Sequence, residues 1–220
     1  MKIEEFKRTN ATKEGGERFQ LENGKLLDID LNGTVMAKKG SMVAFTGNIE
    51  MSGKMSAEGG ITGMVKSAVS SEGTPVMEAE GQGHLYVADQ GKKVQVLHLN
   101  EGQSISVNGD DVLAFEYSVD YEISTIGSVG GAQAGGLTNV FLTGPGYIAI
   151  TTHGDPLVMS PPVKTDPDAT VAWSANLSPS ISKNKAFEIG STSGETYQMD
   201  FSGSEGFVVV QPYEEGGQQQ

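Results

Sequence analysis

Three histidines, His84, His98 and His153, have the widest chemical reach in this chain, because imidazole can move a proton near neutrality or bind a metal. A metal site shared between strands needs two or three histidines and a carboxylate converging from neighbouring strands, commonly with two histidines one residue apart. No two of these three stand at that spacing, so they read as isolated surface or turn histidines and no metal is expected. Cysteine is absent, which removes disulfides, thiol catalysis and every Cys-based metal site. There is no Gly-x-Ser-x-Gly elbow, and the serines lie in glycine-neighboured contexts where Ser favours local backbone bonding. Gly81-Gln82-Gly83 and Gly144-Pro145-Gly146 lack the third glycine of a phosphate-binding loop, and strands rather than helices follow them. The expectation is no catalytic, cofactor-binding or metal-binding residue, and no enzyme.

Carboxylates are the other candidates. Asp28/Asp30, Asp110/Asp111 and Asp166/Asp168 are close pairs, but none has the spaced loop that gathers six or more oxygens around Ca²⁺. Glu116, Asp120 and Glu122 fall at alternate positions of one stretch and read as a solvated acidic face open to a basic protein partner. Asp and Glu number 28 against 15 for Lys and Arg, a net charge of -13, so the surface repels phosphate backbones and no nucleic acid is expected. Met51, Met55 and Met64 mark a Met-rich 51–64 region where adaptable side chains could fill a protein interface or pack under a loop.

The elements that must position these residues repeat along the chain. Met42-Val43-Ala44-Phe45, Val112-Leu113-Ala114-Phe115 and Thr170-Val171-Ala172-Trp173 share one pattern, and each opens an alternating stretch. The middle copy predicts one long strand with Phe115, Tyr117, Val119, Tyr121 and Ile123 inward and the intervening Glu, Ser and Asp residues outward. In the same register Phe45 and Ile49, and Trp173 and Leu177, are expected to be buried. Pro179 cannot donate to a ladder and places the third stretch at an edge or an end. Each stretch is followed by a short strand, a glycine pair and a β-branched strand. The glycine pairs are Gly81-Gln82-Gly83, Gly144-Pro145-Gly146 and Gly203-Ser204-Glu205-Gly206, and they read as turns closing hairpins. Glycine, at 30 residues, suits many turns and bulges.

This gives an all-β chain, residues 1–220, as a single domain of three similar modules in pseudo-threefold arrangement. The modules span approximately 24–90, 91–152 and 153–213, with a flexible tail at 214–220. Ile61, Met64, Val65, Ala68 and Val69 lie at helical spacing and allow one short helix near 61–69.

At these residues the sequence resembles the mitochondrial-biogenesis family named "altered inheritance of mitochondria, number twenty-four". The pieces that carry the likeness are Leu113-Ala114-Phe115, Gly130-Gly131, Gly135-Gly136-Leu137 and Gly144-Pro145-Gly146, in order within a match from about Gly24 to Gln211. The resemblance implies a fold like that of the trp RNA-binding attenuation protein (TRAP-like), within the double-stranded β-helix class. It implies no reaction and carries over no functional residue. The chain looks like a bacterial member, formerly a domain of unknown function.

The function expected is a non-catalytic binding or assembly protein on a rigid all-β scaffold, self-associating as a homo-oligomer. The alternative is a small-molecule-binding protein with a pocket between modules. A third reading, a hydrolase whose Ser, His and Asp meet only in the fold, rests on no motif. The N-terminus MKIEEFKRTN shows neither a secretory nor an organellar signal, and no run approaches a membrane span, so a cytoplasmic location is expected.

Overall fold

The computed structural model describes residues 1–52, 76–126, 137–183 and 197–213. The expected helix near 61–69, Met55, Met64, the 130–136 glycines and the 214–220 tail lie outside these residues. One short helix, α1 (Ile3–Thr9), carries Glu4 and Glu5 in its first turn and Lys7 and Arg8 in its last, the arrangement that its dipole favours. None of its residues is buried. Five strands follow: β1 (Phe19–Asn23), β2 (Leu26–Lys38), β3 (Met42–Phe45), β4 (Asn48–Ser52) and β5 (Val76–Val87). Then come β6 (Lys93–Leu99), β7 (Ser104–Asn108), a 3₁₀ turn at Gly109–Asp111, β8 (Val112–Glu116), β9 (Asp120–Ile126), β10 (Leu137–Thr143) and β11 (Gly146–Thr152). The last six are β12 (Leu157–Met159), β13 (Val163–Thr165), β14 (Thr170–Ser174), β15 (Ser180–Lys183), β16 (Tyr197–Phe201) and β17 (Val208–Val210).

These strands form three antiparallel sheets. The largest runs β3-β5-β2-β8-β11-β6, with β1 added to β2 and β4 to β5; the second runs β12-β17-β14-β7-β10-β9; the third is β13-β16-β15. The fold is all-β. One set of pairings occurs three times within them. β11 lies between β6 and β8 while β10 lies between β7 and β9. β17 lies between β12 and β14 while β16 lies between β13 and β15. In β2 and β5 the two corresponding pieces are fused: the second half of β5 lies between β2 and β3, its first half between β2 and β4. Val43, Leu113 and Val171 are each skipped in the ladder, a bulge at the same point of the same strand in all three sets. A bulge bends its strand and sharpens its twist, which suits a strand at the junction of two sheets.

The expected long strand from Phe115 to Ile123 is two strands. β8 stops at Glu116, the Val119 N–H donates to the Glu116 carbonyl, and β9 begins at Asp120. The third stretch breaks in the same way, with the Leu177 N–H donating to the Ser174 carbonyl. Such a turn keeps the inward parity of Val119 and Leu177, both buried, so alternation alone does not reveal the break. The residue it displaces is Tyr117, expected inward and 61% exposed.

Nor do the glycine pairs close hairpins. Gly81 and Gly83 lie inside the continuous β5, whereas Gly144–Gly146 and Gly203–Gly206 carry the chain from one sheet into another. The Gly144–Pro145 peptide is cis. Gly81 and Gly83 have φ of +146° and +145°, and a Cβ at either would collide with the carbonyl oxygen of Asn48 or Thr46. Glycine is required there because β4 and the residues leading into it cross directly over β5. Pro179 does immediately precede β15, an edge strand.

Three hydrophobic clusters form among the described residues. One gathers Phe115, Val119, Leu142, Ile148 and Val171 with Met36; a second gathers Leu27, Ile29, Leu31, Leu85 and Leu113. The third packs Trp173, Leu177, Met199, Phe201 and Val208. The rings of Trp173 and Phe201 meet at 5.6 Å in a tilted pair.

Candidate functional site

The repeated pairings are linked by two joints. In the first, β2 lies against the outer edge of β8, with Val35, Met36 and Ala37 opposite Glu116, Phe115 and Ala114. In the second, β7 lies against the outer edge of β14, with Ile105, Ser106 and Val107 opposite Ser174, Trp173 and Ala172. A strand therefore covers β8 and β14 on the side away from β11 and β17. Among the described residues β3, their counterpart, has β5 as its one strand neighbour, and all four of its residues are exposed. Met42 is 41%, Val43 58% and Phe45 45% exposed, whereas every residue from Val112 to Phe115 is buried. The expected burial of Phe45 is thus corrected: its sequence environment matches that of Phe115, but no second strand among the described residues lies beside it. An open edge offers a row of unpaired N–H and C=O groups, and here the side chains beside it are apolar.

The histidines are held by aromatic rings. His84 on β5 points its Nδ1 at the Asp28 carboxylate, 3.0 and 3.1 Å from its two oxygens, and stacks on Tyr86. His98 meets Tyr147 edge-on and His153 stacks on Tyr213. His84 is therefore a strand residue paired across the ladder. The sequence reading of it as isolated misses this because Asp28 faces it only once β2 and β5 pair, on a diagonal of the ladder. Burial pushes the Asp28 carboxyl above the usual carboxylate range, against the pull of the His84 contact.

The acidic face divides. Asp120 and Glu122 are exposed, but Glu116 is not a solvated residue. Its carboxylate accepts from Arg18 at 2.8 Å and from the Tyr147 backbone N–H at 2.7 Å. β8 ends there, and the turn that follows folds Glu116 back over β11. Asp166 accepts from the Asp168 N–H, an ordinary Asx turn. Asp110 similarly sits in the 3₁₀ turn, its N–H donating to the Asn108 side chain. Met51 lies on β4 and packs against the second hydrophobic cluster.

Asp111 belongs to a buried ion cluster that sequence reasoning missed. Lys92 Nζ stands 3.1 Å from Asp111 and 3.8 Å from Asp89, and Lys38 Nζ stands 2.8 Å from Asp89. The Thr151 hydroxyl donates to Asp89 at 3.4 Å. Lys38 ends β2, Asp89 and Lys92 flank the turn from β5 to β6, and Thr151 lies on β11, so the charges tie one set of pairings to the next. Two lysines and two aspartates neutralise one another, which is the condition for burying them. The Asp89-x-x-Lys92 spacing is the one local sign of the cluster.

A shallow cleft of about 410 Å³ lies where β2, β4 and β5 cross, lined by Asn32, Gly33, Asn48, Glu80, Gly81 and Gln82. It sits within the first set of pairings, not between sets. No helix among the described residues is long and apolar enough to cross a membrane.

Three antiparallel sheets, with β3 at an edge among the described residues, define an all-β scaffold whose notable surface is a strand. The chain belongs to the family described as Mitochondrial biogenesis AIM24, whose family model matches residues 19–213. It is similar to the crystal structure of protein SPYM3_0169 from Streptococcus pyogenes, with a TM-score of 0.70, 24% identity, and coverage of 89% of this chain and 92% of that one. At that identity the likeness establishes the fold. No curated protein matches the chain.

Proposed function

We propose that this protein is a non-catalytic assembly scaffold that works by strand addition at the edge of β3. Its three modules are 24–90, 91–152 and 153–213, and the edge is the place where the internal pattern of joints stops. The observation that carries this reading is the exposure of Met42, Val43 and Phe45, on a strand whose two counterparts are covered. An apolar edge left bare is a site of pairing with another chain. The net charge of -13 directs the surface away from nucleic acids and towards protein partners. Light scattering over a dilution series tests the reading. Particles heavier than the 23.1 kDa chain are expected, and Val43→Lys should return them to monomer. A 23.1 kDa particle throughout, with no protein partner lost in Val43→Lys, would sink it.

A second reading is favoured by the cleft beside Gly81. Three carboxamides and one carboxylate around it suit a small polar ligand rich in hydroxyl groups. Thermal shift with monosaccharides and polyols checks this; Gln82→Ala should abolish any shift seen.

A further inference from the structure

The two internal joints share one register. Phe115 is opposite Met36 in the first joint and Trp173 opposite Ser106 in the second, both antiparallel. Met36 and Ser106 are themselves placed by their inner partners, Glu78 and Phe141. Glu78 stands three residues before Gly81, and Phe141 three before Gly144. The third set offers the same address. Lys164 on β13 pairs with Asp200, which stands three residues before Gly203. Val163, Lys164 and Thr165 are thus the counterparts of Val35–Ala37 and Ile105–Val107. Among the described residues β13 has β16 as its one strand neighbour, and none of them pairs with its outer edge. The molecule ends on one side in a strand of the β8 kind and on the other in a strand of the β7 kind.

We propose that these ends close between molecules: β3 of one copy lies antiparallel against β13 of a second copy. Phe45 then stands opposite Lys164 of the second copy, Thr46 opposite its Val163, and Ala44 opposite its Thr165. The joint repeats a contact the chain already makes twice within itself, so it needs no new surface. The contact is heterologous, because different edges meet, and it propagates head to tail. Each copy carries a charge of -13, so association strengthens as salt screens the repulsion. This inference rests on the scaffold reading above and names its partner and register.

The chain has no cysteine, so introduced thiols report without background. Phe45→Cys and Lys164→Cys are made as separate proteins; both positions are exposed, so both variants are expected to fold. Directly opposed residues of an antiparallel pair hold their Cβ atoms about 4.5–5.5 Å apart, close to disulfide reach. On mild oxidation each protein alone should stay uncrosslinked, and their mixture should give a disulfide dimer containing one of each. Thr46→Cys mixed with Val163→Cys, the neighbouring pair, should do the same. Phe45→Cys crosslinking to itself would replace the joint with a symmetric one and overturn the proposal. So would a monomer whose two thiols, placed together in one chain, join to each other. If light scattering shows assembly while neither mixture crosslinks, this register is wrong and the scaffold reading survives. If the particle is strictly monomeric, both fall.

Discussion

Phe45 and Phe115 make the same ladder contact, with Leu85 and Ile148 respectively, just past a bulge, yet Phe115 is fully buried and Phe45 is 45% exposed. The difference comes from the strand on the far side: Met36 lies opposite Phe115, and no strand among the described residues lies on that side of Phe45. One sequence pattern thus serves as core in one place and as surface in another.

This predicts unequal costs for one substitution. Phe115→Ala empties a core site and should cost about 3–5 kcal/mol in urea unfolding. Phe45→Ala, in dilute monomer, should change stability by less than about 0.5 kcal/mol. Equal losses at the two positions would mean that β3 is covered in solution even when dilute.

Glu116 predicts the opposite of what its alternation suggests. Removing its carboxylate takes the side-chain acceptor from the Tyr147 N–H and leaves the Arg18 guanidinium with the Thr34 carbonyl at 3.5 Å. Glu116→Ala should therefore cost about 1–3 kcal/mol. Arg18→Ala, at a position more open to water, should cost less than about 1 kcal/mol. Chemical denaturation of the two variants side by side gives the comparison.

The ion cluster of Lys92, Asp111 and Asp89 should show coupled energetics. Lys92→Met removes the cation from two buried carboxylates and should cost about 3–5 kcal/mol. Combining it with Asp111→Asn should cost less than the sum of the single changes, because the second removes a charge that the first left poorly compensated. A strictly additive double-mutant cycle would show that the pair does not interact.

Tyr121 sets a limit at alkaline pH. Burial, followed by the nearby Glu78 and Tyr117, pushes its hydroxyl up from 10.0 to about 12. The unfolded chain releases this proton near pH 10 while the folded chain keeps it, so stability is full below pH 10 and falls between 10 and about 12. Tyr121→Phe should flatten that fall. Unfolding free energies measured on both sides of pH 10 would expose the difference, and identical slopes would place Tyr121 in water.

Much of this architecture was legible in order and spacing. Alternation and abundant glycine point to an all-β chain, and Ala44-Phe45, Ala114-Phe115 and Ala172-Trp173 lie on β3, β8 and β14, each just past a skipped residue of its ladder. What stayed hidden was which strand meets which. Alternation reports the face on which a side chain lies, but it is silent about whether a neighbour covers that strand's edge, so Phe45 and Phe115 look alike. It is equally blind to a turn that preserves parity, and β8 and β9 therefore read as one strand. The Asp28–His84 contact and the Lys92 cluster depend on pairings across many residues, and no short spacing encodes them.

β5, β11 and β17 are each flanked on both sides by strands made earlier, and β17 is the last strand among the described residues. Synthesis from the N-terminus therefore lays down the outer strands first and delivers the inner one at the end. Among the described strands, β12 has none to pair with, and β14 has β7 alone, until Val208–Val210 emerges between them. A nascent chain waits with apolar edges open through each round, the stage at which misassembly competes with folding. A chain cut just before Val208 would lose the middle of a sheet rather than a frayed margin, and so a protease acting there would leave a fragment fit for disposal rather than a shortened protein.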